Sequence, residues 1–336
     1  MPKHTSPPQS TDRRLDKLLG LLIEHPMVVL SGAKIARQIG VSRSAVWRWV
    51  ETLRALGVKI KGHAKTGYQL EKVPDILVPR ILQPRLKGTQ FGRRIHHFFK
   101  IDSTNGVAFR LAAAGEPHGT LVVAEEQTAG RGRLGHAWHS EKTTGIYLSL
   151  LLRPPLGPQQ APILTLAAGL AAREAVAEVT ALPISLKWPN DLLVGGKKFC
   201  GILTEMHAEA QRIHHVIVGI GINVNHARLP KELDPIATSL RLAGGRAYSR
   251  LEILLRLLGA LDRYYNRLLA EGAAPLVARF LEVAPSARGQ RVQVETPWEK
   301  FTGVTAGLDE SGLLLVCRDA DGRTLPVLAG DVTEID

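Results

Sequence analysis

The chain has 336 residues, 45% hydrophobic and 22% charged, which is enough for two or three domains with real cores and excludes an overall disordered polymer. Its 43 Lys and Arg against 31 Asp and Glu leave a formal net charge of +12, which favours an anionic partner such as nucleic acid or nucleotide. The two cysteines, Cys200 and Cys317, stand far apart and outside any metal-ligand spacing, so the cysteines indicate neither a disulfide framework nor a zinc site, and a reducing cytoplasm fits.

Residues 1–14 are rich in Pro, Ser and Thr and read as a mobile tail with no apolar segment of a signal peptide. The apolar stretch 163–177 is broken by Arg173 and Glu174, so no membrane partner is expected. Leu15, Leu18, Leu19, Leu22 and Ile23 then recur at the spacing of an amphipathic helix. Ser31 caps a short helix that Gly40 ends, and Ser42 caps the next, the grammar of a helix-turn-helix. Val46, Val50, Leu53 and Leu56 form the buried stripe of that second helix, leaving Arg43, Ser44, Trp47 and Arg48 facing outward as the candidate DNA-binding residues. Segments 58–60 and 67–70 flank a basic turn and read as a wing, which completes a winged helix over 15–72.

Three prolines interrupt 73–90, expected to be a linker. In the domain that follows, 91–284, strands are expected at 121–125, 146–152, 184–188, 200–206 and 216–222, with helices at 103–114, 162–179 and from Ser249 to about Gly272. From Pro285 to the end, short strands at 291–295, 301–306, 313–317 and 324–328 are separated by Gly and Asp turns, as in a small β-barrel. The fold class is α+β.

The most informative stretch is 129–138, AGRGRLGHAW. Gly130, Gly132 and Gly135 alternate with Arg131 and Arg133, too many glycines for a helix or strand; the arginine forks suit phosphate or carboxylate, and Trp138 offers an aromatic face at the edge. The spacing matches neither the P-loop nor the dinucleotide fingerprint. Lys187 ends an apolar strand, where a lysine is costly unless it faces an anion.

Four stretches belong with this loop: DSTN at 102–105, Gln127 onward, KWPND at 187–191 and KFCGILTE at 198–205, with VGIGINVN at 218–225. Together they resemble the biotin protein ligases, and the winged helix in front makes the chain similar to the bifunctional members that also repress the biotin operon. The resemblance implies a central mixed α/β domain of the class II synthetase-like biotin/lipoate ligase type and a C-terminal SH3-like barrel. It implies that biotin and ATP, with Mg²⁺ arriving on the nucleotide, form biotinyl-5'-AMP, from which a lysine of a biotin carboxyl carrier protein displaces AMP. By the same resemblance, Lys187, Arg131 and Arg133 are catalytic. Ser103, Thr104, Asn105, Gln127, Gly132, Gly219 and Gly221 join them around biotin, and Trp138, Asn190, Lys198 and Asn223, with Arg133 and Lys187, line the nucleotide. Asp191 either holds a group that is itself bound to the metal or is a simple turn carboxylate after Pro189 and Asn190.

A homodimer formed with biotinyl-5'-AMP, presenting two winged helices to operator DNA, is the expected regulatory form. Two departures from the family pattern stand out: His136 replaces a common loop arginine, and the C-terminus DVTEID lacks the usual basic tail, which puts a nucleotide contact from the small barrel in doubt. Three alternatives stay open: a ligase whose winged helix no longer binds DNA, a biotin sensor without catalysis, and a lipoate-type ligase.

Overall fold

The computed structural model describes residues 10–72, 75–296, 298–327 and 330–335. Helix α1 (Ser10–Glu24) buries Leu15, Leu18, Leu19 and Leu22 as their spacing requires. It starts at Ser10, so the expected tail is helical from there on, and residues 1–9 lie outside the described residues. The Ser31 hydroxyl accepts from Lys34 N–H at the start of α2 (Gly32–Ile39), and Gly40, at φ 75°, closes it in the left-handed region. Ser42 repeats the cap for α3 (Arg43–Ala55), which buries Val46, Val50 and Leu53. The wing is β1 (Ile60–His63) paired antiparallel with β2 (Gly67–Leu70).

The expected linker is not a free tether. Pro79 opens α4 (Pro79–Leu82) at a first-turn position where its missing N–H costs nothing. Ile76, Val78 and Ile81 join the winged-helix core, while Leu77, Leu82 and Leu86 join the core of the next domain, so this segment stitches the two cores together. Pro79 and Pro84 initiate structure where the sequence suggested interruption.

The central domain runs β3 (Ile95–Phe98), α5 (Thr104–Ala113), β4 (Leu121–Ala124), β5 (Ile146–Leu152), α6 (Pro162–Thr180), β6 (Ile184–Lys187), β7 (Asp191–Val194), β8 (Lys197–Ala208), β9 (Ile213–Ile222), α7 (Leu240–Gly244), α8 (Arg250–Glu271) and α9 (Ala274–Val283). Its seven-stranded sheet has the order β3-β4-β5-β9-β8-β7-β6, with β3 parallel to β4 and the other pairs antiparallel. Every residue of β5 is buried because both faces of the sheet are covered. Leu148 and Leu150 belong to the large core with α6 and α8, and Leu151 meets Val107 and Ala108 of α5 on the other face. Strands β3 and β7 went unpredicted.

The C-terminal strands β10 (Arg288–Glu295), β11 (Lys300–Leu308), β12 (Leu314–Arg318), β13 (Thr324–Val327) and β14 (Asp331–Glu334) form an antiparallel sheet in the order β13-β12-β11-β10-β14. Strand β14 was not expected, and Leu328 lies outside the described residues. Val292, Val294, Leu314, Val316 and Val327 share the large core of the central domain, so this sheet is fused to it.

Candidate functional site

The central sheet carries a cavity of about 780 Å³, and all fourteen candidates from the central domain lie on its wall. Two absent side chains shape its floor. A Cβ at Gly221 would come within 2.5 Å of the Trp138 indole, and one at Gly219 would overlap the Asn105 carboxamide. Only glycine lets both groups lie on the sheet.

Polar groups at the α5 end of the cavity form one network. Ser103 caps α5, accepting from Gly106 N–H, which leaves Thr104 and Asn105 at the first turn. Thr104 N–H and its hydroxyl both donate to Gln127 Oε1, at 2.8 and 3.0 Å. The Ser149 hydroxyl lies 2.8 Å from Thr104 Oγ1 and 2.5 Å from Asn105 Oδ1, and Asn105 Nδ2 donates to Glu205 Oε2 at 2.7 Å. Ser149 was missed because an isolated serine inside an apolar strand carries no local signal. Glu205 stood inside the KFCGILTE stretch but was given no role.

The glycine-rich loop folds back over this network. Trp138 N–H donates to Gly130 O and Gly132 N–H to His136 O, closing a turn in which Gly135 sits at φ 81° and Leu134 at φ 54°. A Cβ at Gly130 would come within 2.7 Å of Trp138 O, so this glycine is needed for the return of the chain. Arg133 reaches Asn190 Oδ1 and Gly330 O, and Arg131 remains exposed at the rim.

Cations dominate the opposite wall. Lys187 Nζ lies 3.8 Å from Glu334 Oε1 of β14, so a carboxylate is already accommodated beside it. Lys198 Nζ pairs with Asp191 at 2.6 Å and lies 5.6 Å from the Trp138 ring centroid. Asn190 Nδ2 donates to Ile202 O and Asn223 Nδ2 to Thr238 O, while the Asn223 Oδ1 is buried without a partner among the described residues. The doubt over the small barrel is answered in one respect: Asp331 lines the cavity and Glu334 faces Lys187, so β14 does border the site.

Beneath the loop, Glu125, directly after β4, is fully buried. It accepts from Leu77 N–H of the stitching segment at 2.8 Å and from Arg250 Nη1 at 2.8 Å. Burial pushes its carboxyl up, but the Arg250 charge together with the hydrogen bond and charge of His97 outweighs burial and holds it at about 2. Arg250, 1% exposed, also donates to Gly145 O and the Asp75 carbonyl, while Asp75 accepts from the backbone N–H groups of Arg250 and Leu251. This network joins the end of β4, α8 and the segment leaving the winged helix. Its members are too far apart in sequence to be paired by inspection.

On the winged helix Arg43, Ser44, Trp47 and Arg48 are all exposed on α3, with Trp47 56% accessible. Trp49 instead packs against the small core.

The comparisons with known proteins coincide with this division. Residues 98–223 match the biotin/lipoate A/B protein ligase family and residues 14–69 match an HTH domain. The bifunctional ligase/repressor BirA of Bacillus subtilis is 38% identical over 289 residues, covering 85% of this chain and 89% of its own. The chain belongs to the biotin/lipoate A/B protein ligase family. Within this ligase family, the biotin--[acetyl-CoA-carboxylase] ligase of Mycobacterium tuberculosis is 39% identical over 266 residues, 76% of this chain and 95% of that one. The biotin protein ligase of Aquifex aeolicus, solved in complex with biotin and ATP, superposes with a TM-score of 0.63 at 31% identity, covering 72% of this chain and all of that one.

Proposed function

We propose that this chain is a biotin–protein ligase that joins biotin to ATP, forming biotinyl-5'-AMP and pyrophosphate, and passes the biotinyl group to a lysine of a biotin carboxyl carrier protein. The observation that carries the reading is a single cavity with a hydrogen-bonding amide end, a glycine floor and a cationic wall. The carboxylate of biotin must approach the α-phosphate of ATP, and two anions repel unless fixed cations hold them. Lys187 takes the substrate carboxylate in place of Glu334 and stabilises charge as it builds on the phosphate oxygens. Arg131, Gly132 and Arg133 close over the adenylate and keep water from the mixed anhydride.

Thr104, Asn105 and Gln127 offer donors and acceptors to the ureido ring, with Ser103 and the glycines shaping the approach. Trp138, Asn190, Lys198 and Asn223 receive the nucleotide. Among the described residues the cavity wall carries the Asp191 and Asp331 carboxylates and no others, and Asp191 is already paired with Lys198. That donor set suits Mg²⁺ held mainly by phosphates and water.

The chain also acts as a biotin-responsive repressor. Arg43, Ser44, Trp47 and Arg48 face the operator, and a two-fold dimer formed with biotinyl-5'-AMP presents two such helices to a palindrome. Among the described residues no helix is long and apolar enough to cross a membrane, and we place the protein in the cytoplasm. The test is incubation with ATP, Mg²⁺, biotin and an acetyl-CoA carboxylase carrier domain, followed by mass. A biotin-sized gain on one carrier lysine is expected. No gain from folded protein, or a gain with lipoate instead, contradicts the reading.

A further inference from the structure

Three side chains, His139 on the cavity wall and Glu141 and His226 outside it, take no part in the chemistry above. His226, just past β9, is fully buried, and its Nδ1 has no hydrogen-bond partner among the described residues. A buried nitrogen without a partner side chain or backbone group is costly, so it needs an explanation. The other ring nitrogen, Nε2, lies 3.2 Å from the Tyr147 hydroxyl, which also lies 2.9 Å from the Glu141 backbone oxygen. That carbonyl can only accept, so it takes the single Tyr147 proton. Tyr147 must then accept from Nε2–H. This fixes the His226 tautomer and leaves a lone pair on Nδ1, the state of a ligating imidazole oriented by a hydrogen bond on its other side.

His139 and Glu141 stand opposite it. One donor atom from each of His139, Glu141 and His226 lies within 4.8 Å of the others, the one such group of three among the described residues. A tetrahedral ion with bonds of about 2.0–2.1 Å needs its donors roughly 3.4 Å apart, a contraction that the exposed Glu141 and half-buried His139 can supply by side-chain rotation. We propose that these three residues bind one divalent d-block cation of the Zn²⁺ class, with water in the fourth position. Two imidazoles and one carboxylate suit such an ion better than Mg²⁺ or Ca²⁺, which prefer oxygen ligands. Bound there, the ion ties 139–141, the limb by which the loop rejoins the sheet, to the exit of β9. Ser140, between the two ligands, accepts from Gln127 Nε2 at 3.0 Å, so the clamp holds a pocket group in register.

The experiment is titration of untagged, chelator-stripped protein with Co²⁺, followed by its d–d absorption, then displacement by Zn²⁺ and equilibrium dialysis. One equivalent with tetrahedral-intensity bands is expected. The His139→Ala and Glu141→Ala variants, altered at a half-buried and an exposed position, keep the metal-free melting curve and weaken Zn²⁺ by about 100-fold or more. Tyr147→Phe, which removes only the orienting hydrogen bond, weakens it roughly 10–100-fold. The proposal is overturned if the wild-type chain binds no more Zn²⁺ than His139→Ala does. It is equally overturned if the bands vanish in a His207→Ala, His214→Ala variant, which removes the separate histidine cluster whose rings lie 5.1 Å apart.

Discussion

Replacing Arg250 by Met keeps the length and apolar stem of the side chain but removes the cation that faces Glu125. Arg250 is 1% and Glu125 0% exposed, so the carboxylate left behind can neither reach water nor find another full positive partner at 2.8 Å. Breaking one side of a buried pair in this way costs about 3–5 kcal/mol. At roughly 2–4 °C per kcal/mol for a domain of this size, the melting temperature falls by about 6–20 °C. Adding Glu125→Gln to Arg250→Met removes the stranded charge, and most of the loss is recovered. Thermal unfolding of the four proteins of this cycle, followed by circular dichroism, measures the coupling directly. A loss below about 1 kcal/mol for Arg250→Met, unchanged in the double variant, refutes the argument that this pair holds the stitching segment to the end of β4.

Other consequences follow from the same contacts. Gly221→Ala drives a methyl group into the Trp138 indole, so the KM for ATP rises about tenfold or more while the fold survives; an unchanged KM removes Trp138 from the nucleotide wall. Glu125 titrates at about 2 in the folded chain against an ordinary 4.5, so the unfolded chain takes up the proton first. Its contribution is therefore complete above pH 4.5 and lost as the pH falls toward 2, and urea midpoints measured across that window decline more steeply in wild type than in Glu125→Gln. For DNA, Arg43→Ala and Arg48→Ala each reduce the slope of log K against log salt by about 0.9 if each guanidinium neutralises one phosphate. Equal slopes leave α3 without a backbone-contact role.

Local chemistry was legible where it acts over a few residues. Ser31, Gly40 and Ser42 marked the helix-turn-helix because caps and left-handed closures are properties of one turn of chain. The cavity residues were legible as motifs, but their mutual arrangement was not: Asn105 meets Glu205 only because β8, β9 and β5 lie side by side. Strand β3 was missed because its two central histidines blur the apolar pattern of an edge strand, and β14 because Asp331 and Glu334 bracket it with charge. The segment 75–86 read as a tether because Pro79 and Pro84 look like breaks, whereas Pro79 starts a buried turn whose apolar residues face two cores alternately. Its anchor, the contact of Leu77 and Arg250 with Glu125, spans distances that periodicity does not report.

The most direct test of the account is biotin-dependent exchange of pyrophosphate into ATP, measured with wild-type protein and with Lys187→Ala. The account predicts exchange that requires biotin in wild type, and loss of at least about 100-fold in Lys187→Ala with an unchanged melting curve, the scale of removing one preorganised transition-state contact. Exchange of wild-type magnitude in a folded Lys187→Ala protein contradicts it.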